Sequence, residues 1–203
     1  MDLTVLFQIA ILIISVMIHE ISHGYMALFW GDKTAQYEGR LTLNPVKHID
    51  IFGSIILPAL MYFSGTGFIF GWAKPVPYNP YNLRRRNIAE PLVAFAGPLS
   101  NFIVALILAI FLRIGAQFSL PTETILLLTY AVLINIALGV FNLMPVPGFD
   151  GFKIYSAFLP PHIAVRLQQF ERYWIIFAIL FIVFLSPFFL AIVEWLFKIF
   201  VGA

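Results

Sequence analysis

Four long apolar segments constrain the fold of this chain more than any other feature of its sequence. They comprise residues 3–30, 88–113, 124–143 and 174–195. As α-helices, all four are long enough to cross about 30 Å of lipid hydrocarbon. The chain is 61% hydrophobic and 11% charged, whereas about 25% of the residues in a soluble domain are charged. The sequence therefore predicts an all-α polytopic membrane protein, with residues 1–203 forming one integral-membrane domain.

A fifth apolar segment, residues 51–71, is interrupted by glycine and proline, so its length does not decide whether it crosses the membrane. If it enters and leaves on the same side, all of the twelve basic residues except Arg113 and Lys198 lie on one face. The positive-inside rule makes that face cytoplasmic. We therefore predict a re-entrant segment here, an N-terminus outside, and about four to six transmembrane helices. Pro187 is expected to kink the last span or to split it into a hairpin.

The first apolar segment contains "HEISH", residues 19–23, although ionisable residues are costly in lipid and need a partner or a function. His19 and His23 are four residues apart, which places both imidazoles on one face of a helix, where they can chelate one ion. Glu20 lies beside them, close enough to act on a metal-bound water without being a ligand. The alternative is a pair of histidines that hydrogen-bond to neighbouring spans. The membrane setting favours the metal site.

A catalytic zinc ion is usually held by three protein ligands, with one position left open. The remaining histidines, His48 and His162, lie in predicted loops. Among the carboxylates near apolar segments, Asp150 is favoured because two crossings separate it from His23 and return it to the same side. The alternative role for Asp150 is to cap a helix or turn. The other carboxylates considered are Asp50, Glu90 and Glu194.

These motifs resemble the site-2 protease family of intramembrane zinc metalloproteases. The resemblance rests on "HEISH" and on "NLMPVPGFDG" (142–151), in which phenylalanine stands where leucine is usual before the aspartate. It is extended by "LTLNPVKHIDIFG" (41–53), "GWAKPVP" (71–77) and "AGPLSN" (96–101). It implies one zinc ion per chain bound by His19, His23 and Asp150, with Glu20 as the catalytic carboxylate. The chain resembles compact members without PDZ or CBS domains, with a metal-site core of about residues 3–160 and a C-terminal span of about 174–200.

Four further polar residues are candidates for contact with a substrate or with the negatively charged oxygen of the intermediate. Asn142 is favoured, because the resemblance implies a functional asparagine at that position. Asn101 and Asn135 lie in apolar spans, where the alternative is a hydrogen bond between helices; that alternative is slightly favoured for Asn135 and left open for Asn101. His48 is expected to stabilise a loop rather than to polarise a carbonyl group.

The resemblance also implies that the substrates are single-span membrane proteins embedded in the lipid bilayer. A helical substrate must be unwound before cleavage, and strand addition to an exposed edge would hold it extended. Residues 35–43 and 67–77 are predicted to form short membrane-edge β-strands that serve this purpose or else seal the site from lipid. The basic run 84–86 is assigned to lipid headgroups rather than to nucleic acid. We expect a location in the cell membrane, with the active site toward the cytoplasm.

Two other classes of function use the same residues. A metal-binding scaffold without proteolytic activity would need no general base, which makes the intact Glu20 an argument against it. An ion transporter would need a relay of ionisable groups across the bilayer, and few such groups lie outside the metal cluster. The sequence points to no particular regulator or oligomeric state.

Overall fold

The computed structural model describes residues 3–56, 59, 60, 63, 73–118 and 120–202. Its helices are α1 (Leu3–Phe29), α2 (Thr34–Tyr37), α3 (Arg86–Gln117), α4 (Thr122–Leu143), α5 (Asp150–Ser156), α6 (Pro161–Gln168) and α7 (Trp174–Val201). Among the described residues, four helical stretches are long and apolar enough to cross a membrane: α1, α3, α4 and the stretch that contains α6 and α7. The four predicted spans and the all-α polytopic class are confirmed.

Prolines inside two of the spans do not end them. Helix α3 continues through Pro91 and Pro98, and α7 continues through Pro187 as one helix. The alternative in which Pro187 splits the last span into a hairpin is therefore wrong, and the kink at Pro187 stays a prediction. A proline leaves one carbonyl of the preceding turn without its usual donor, which a helix tolerates when its other backbone groups remain paired.

Helix α3 is the central helix of the bundle, since it packs against α1, α4, α5 and α7. Small side chains allow this close approach, as is usual between helices in lipid. Ala105 and Ala109 on α3 are fully buried against Val132 and Ile136 of α4. At the other end of α3, Ala89 and Val93 pack against Ala27 of α1 and against Leu83. The core thus fixes both α1 and α4 against α3, and α1 and α4 also contact each other.

The predicted β-strand at residues 35–43 is wrong. Thr34–Tyr37 form a helical turn, and Gly39, with a φ of 60°, reverses the chain after it. The turn forms because the Asp32 carboxylate accepts hydrogen bonds from the backbone N–H and the hydroxyl group of Thr34. Such a carboxylate favours the start of a helix over an extended strand.

The second predicted strand and the predicted re-entrant segment lie partly outside the described residues. Of residues 67–77, only 73–77 are described; they form neither helix nor strand, and Pro75 and Pro77 have no N–H with which to pair. Ile51–Ile56, at the start of the predicted re-entrant segment, form a short π-helix. Residues 57, 58, 61, 62 and 64–71 lie outside the described part of the chain, so re-entry stays a prediction.

Residues 73–82 are held against the end of α1 by buried polar side chains. The Asp32 carboxylate accepts hydrogen bonds from the backbone N–H of Asn79 at 2.7 Å and from the side chain of Asn82 at 2.8 Å. Arg40, only 5% exposed, donates to the carbonyl oxygens of Lys74 and Pro75 at 2.9 and 3.0 Å. These contacts keep the segment over the same face of α1 that carries Glu20.

Replacing Asp32 with alanine should destabilise the protein. Burial would raise the pKa of Asp32, but its hydrogen-bond donors outweigh burial, and the pKa lies below its ordinary value. A hydrogen bond to a charged group contributes about 1.5–3 kcal/mol, and Asp32 accepts four of them. We therefore expect Asp32→Ala to lower the free energy of unfolding by at least about 3 kcal/mol. The stabilisation is present at neutral pH and should disappear as the pH falls through the lowered pKa.

Thermal unfolding in detergent at pH 7 measures this effect, with Glu38→Ala as the control because Glu38 is an exposed carboxylate on the adjacent turn. Equal midpoints for the two variants would contradict the prediction.

Candidate metal centre

Three side chains from two distant parts of the chain meet at one point in the bundle. His19 and His23 lie on α1, and Asp150 is the first residue of α5. The Nε2 atoms of the two histidines are 3.0 Å apart, and they lie 3.1 and 3.2 Å from Oδ2 of Asp150. All three residues are buried. The predicted return of Asp150 to the side of the histidines is observed.

These three atoms fit a divalent metal ion. Zinc bonds of about 2.0–2.1 Å at tetrahedral angles separate neighbouring ligand atoms by roughly 3.3 Å, close to the observed triangle. The Nδ1–H of His23 donates to the backbone carbonyl of Val93 at 2.7 Å, so its Nε2 carries a lone pair when the ring is neutral. That lone pair faces a carboxylate oxygen and a second imidazole nitrogen. A cation bound among the three atoms would remove this repulsion.

Gly97 on α3 provides the space for this cluster. A Cβ atom at this position would lie 2.6 Å from both Nε2 and Cε1 of His19, and it would also clash with Nε2 of His23. Atoms that close would have to move apart. The glycine of the "AGPLSN" motif therefore lets α3 pack directly on the imidazole pair.

The loop between α4 and α5 directs Asp150 back into the bundle. Helix α4 ends at Leu143, before Pro145, and Gly148 turns the chain with a φ of 93°. Phe149 is 5% exposed, and its ring lies 4.3 Å from that of Phe141, which anchors the residue before Asp150. The side chain of Asp150 faces the histidines instead of capping α5.

The charge of Asp150 is stabilised by this site. Burial raises the pKa of its carboxyl group, but a proton carried on Nε2 by the facing His23 or His19 ring outweighs burial and holds the pKa well below its ordinary value. A cation bound between the rings would act on the carboxylate in the same way. The carboxylate is therefore ionised at neutral pH, as a metal ligand must be.

The Glu20 carboxylate lies on the same turn of α1 and is partly buried. Its Oε2 accepts a hydrogen bond of 2.9 Å from the backbone N–H of Val76. Val76 belongs to the segment 73–77 that Arg40 holds in place. The sequence analysis did not predict this contact, because every residue except proline has a backbone N–H and the side-chain sequence does not show which one will be the donor.

Lys153 was not among the site residues predicted from the sequence. It follows Asp150 by one helical turn on α5 and so lies on the same face of that helix. Its Nζ lies 5.7 Å from the centre of the Tyr78 ring, a cation–π contact. Burial lowers the pKa of Lys153, but Tyr78 and the nearby carboxylates Asp150, Glu171 and Glu20 outweigh it and raise the pKa above its ordinary value. Burial raises the pKa of Tyr78 as well.

Asn101 and Asn135 lie behind His19 rather than on an open surface. The Nδ1–H of His19 donates to Oδ1 of Asn101 at 2.6 Å, and Nδ2 of Asn101 donates to Oδ1 of Asn135 at 3.1 Å. Both asparagines are at most 1% exposed. This arrangement favours the hydrogen bond between helices over contact with substrate for both amides.

The remaining two candidates lie outside the ligand triangle. Asn142, near the end of α4, is partly buried and donates to the carbonyl oxygen of Leu138 in its own helix at 3.0 Å. His48 is 2% exposed, and its Nε2 donates to the carbonyl oxygen of Thr42 at 2.8 Å. The His48 contact favours the loop-stabilising role, and the role of Asn142 toward a substrate stays a prediction.

The fold and this site together define a polytopic membrane protein with a buried centre, of two histidines and one aspartate, that could bind a metal ion. Comparison with known proteins agrees. A model of the peptidase family M50 matches residues 119–186, a range that includes Asn142 and Asp150. "Putative zinc metalloprotease YwhC" from Bacillus subtilis (strain 168) is 39% identical over 178 residues, which cover 84% of this chain and 78% of the relative.

Two mycobacterial relatives carry the same designation under the name Rip2. The protein from Mycolicibacterium smegmatis is 28% identical over 92% of this chain and 68% of its own length. The protein from Mycobacterium tuberculosis (strain H37Rv) is 30% identical over 92% of this chain and 71% of its own length. No solved structure matches the chain. This chain belongs to peptidase family M50, the site-2 protease family.

Proposed function

We propose that this chain is an intramembrane zinc metalloprotease that hydrolyses peptide bonds within or near the transmembrane segments of single-span membrane proteins. The observation that carries this proposal is the approach of Asp150 to His19 and His23 on the candidate span α1, with ligand atoms of all three residues within 4.8 Å of one another. Family membership and the names of the relatives supply the reaction class.

The ligand set fits one zinc ion per chain, held through Nε2 of His19, Nε2 of His23 and Oδ2 of Asp150. Bound there, zinc would polarise the scissile carbonyl group and lower the pKa of a water molecule toward about 7. Glu20 would accept the proton of that water and deliver it to the leaving amine. The hydrogen bond from Val76 supports this role, because it orients the carboxylate from outside the ligand triangle.

Substrate recognition is assigned to the residues near the end of α4 and to segment 73–77. Asn142 lies eight residues before Asp150 and is proposed to contact the substrate backbone. A substrate helix must be unwound first, since a helix satisfies its own backbone in lipid. Segment 73–77 contacts Glu20 through the N–H of Val76, where it would meet an unwound chain.

The basic residues determine the proposed orientation. A run of three arginines precedes the body of α3, and Lys33 and Lys74 lie near the same end of α1. The positive-inside rule then puts this end, and the metal centre near it, toward the cytoplasm. We assign the chain to the cell membrane, with the arginine run against lipid headgroups.

Cleavage that depends on zinc tests the proposal directly. Purified protein in detergent is mixed with a panel of tagged single-span candidate substrates, with and without 1,10-phenanthroline, and products are resolved on gels. We expect cleavage of at least one candidate, its loss with the chelator, and its recovery on addition of zinc. Zinc bound at one ion per chain without cleavage of any candidate would instead favour the scaffold alternative.

A further inference from the structure

Behind His19, two buried side-chain amides form a chain of hydrogen bonds in which both N–H groups of each amide have an acceptor. We call Asn101 and Asn135 the amide pair; they lie on α3 and α4, and Ser15 on α1 completes the set. All three residues are at most 2% exposed. Buried polar groups in this setting specify one arrangement strongly, because an unpaired group costs far more there than in water.

The orientation of Asn135 is determined by its own helix. Its Nδ2 donates to the backbone carbonyl of Ala131 at 2.8 Å and to the hydroxyl oxygen of Ser15 at 2.9 Å. A backbone carbonyl can only accept. The amide nitrogen of Asn135 must therefore face Ala131, which turns Oδ1 toward Asn101.

Asn135 and Ser15 then determine the orientation of Asn101. Nδ2 of Asn101 donates to Oδ1 of Asn135 at 3.1 Å and to the backbone carbonyl of Ser15 at 3.3 Å. The flipped amide would set its own oxygen against two acceptors. Oδ1 of Asn101 therefore faces Nδ1 of His19, which must carry the proton of the neutral ring.

We propose that Asn135 is a positioning residue for the metal centre, because it fixes the amide of Asn101 and thereby holds the proton of His19 on Nδ1. Nε2 of His19 then keeps the lone pair that a metal ligand needs. His23 obtains the same tautomer directly from the backbone carbonyl of Val93, so only His19 depends on side chains for it. This inference rests on the zinc centre of the proposed function.

Asn135→Leu tests the inference with two measurements, the zinc affinity by competition with a chromophoric chelator and the 15N shifts of the His19 ring in metal-free protein. Without Asn135, only the longer bond of 3.3 Å to the backbone carbonyl of Ser15 holds the amide of Asn101, so a fraction of the amides can flip and place the ring proton on Nε2. We expect zinc affinity to fall about 10- to 100-fold, as for other lost partners of ligand histidines, and the shifts to show a mixture of tautomers. If Asn135→Leu does not fold, Asn135→Ala provides the same test.

Val132→Ala is the matched control, since Val132 is fully buried on the same helix and its side chain has no polar atom. It should keep the zinc affinity and the His19 shifts of the wild type. An equal loss of affinity in Val132→Ala, or wild-type affinity and shifts in Asn135→Leu, would overturn the inference.

Asn101→Asp gives a second, independent test. Both oxygens of a carboxylate accept hydrogen bonds, so His19 keeps its proton on Nδ1 whichever way the side chain turns. Adding Asn135→Leu to Asn101→Asp should therefore not change the His19 tautomer, and a change would overturn the inference. If the wild type bound no zinc, the proposed function would fail, while the shifts in metal-free protein would still decide this inference.

Discussion

The Glu20→Gln variant is expected to lose about 100- to 10,000-fold in the rate of peptide hydrolysis, the usual contribution of a general acid–base group. Glutamine cannot accept the proton of the attacking water. Its side-chain oxygen can still accept the N–H of Val76, which Glu20 binds at 2.9 Å. The fold and the three ligand atoms should therefore be retained, so zinc content and hydrolysis are expected to respond differently.

The measurement pairs metal analysis with the cleavage assay on one preparation of each variant. Glu38→Gln is the control, because it makes the same chemical change at an exposed position after α2. It should cleave as the wild type does. Cleavage by Glu20→Gln at the wild-type rate, with zinc bound, would remove Glu20 from the mechanism.

Gly97→Ala should empty the metal centre without altering any ligand. The added carbon would lie 2.6 Å from the Nε2 atom of His19, closer than van der Waals contact permits, so the ring must move. Alanine is more favourable than glycine inside a helix by about 1 kcal/mol, so the substitution should not destabilise α3 itself. We expect bound zinc to fall from about one ion per chain toward zero, and cleavage to be lost with it.

Gly115→Ala provides the comparison within the same helix. There the added carbon would meet the tip of the Leu120 side chain, which can turn away, and the metal centre is not involved. This variant should retain zinc and activity. Full zinc occupancy in Gly97→Ala would show that α3 does not pack on the imidazole pair as described.

Much of the site follows from local patterns in the sequence. His19 and His23 share a face of α1 because they are four residues apart on a helix. Asp150 was chosen because two crossings separate it from His23, and the structure places its carboxylate 3.2 Å from Nε2 of that residue. The strand predicted at residues 35–43 is wrong. Apolar and polar residues alternate there only in part, and the hydrogen bond from Thr34 to Asp32 favours a helical turn instead.

The sequence by itself determined the positions of four long spans and the identity of the three candidate ligands. Lipid thickness determines how long an apolar helix must be, and helical periodicity determines which neighbours share a face. Only the tertiary structure decided that Asn101 contacts His19 across 82 residues and that Val76 contacts Glu20 across 56 residues. The first contact depends on how each helix is rotated against the next, which packing between helices determines. The second depends on the hydrogen bonds from Arg40 that hold segment 73–77 in place.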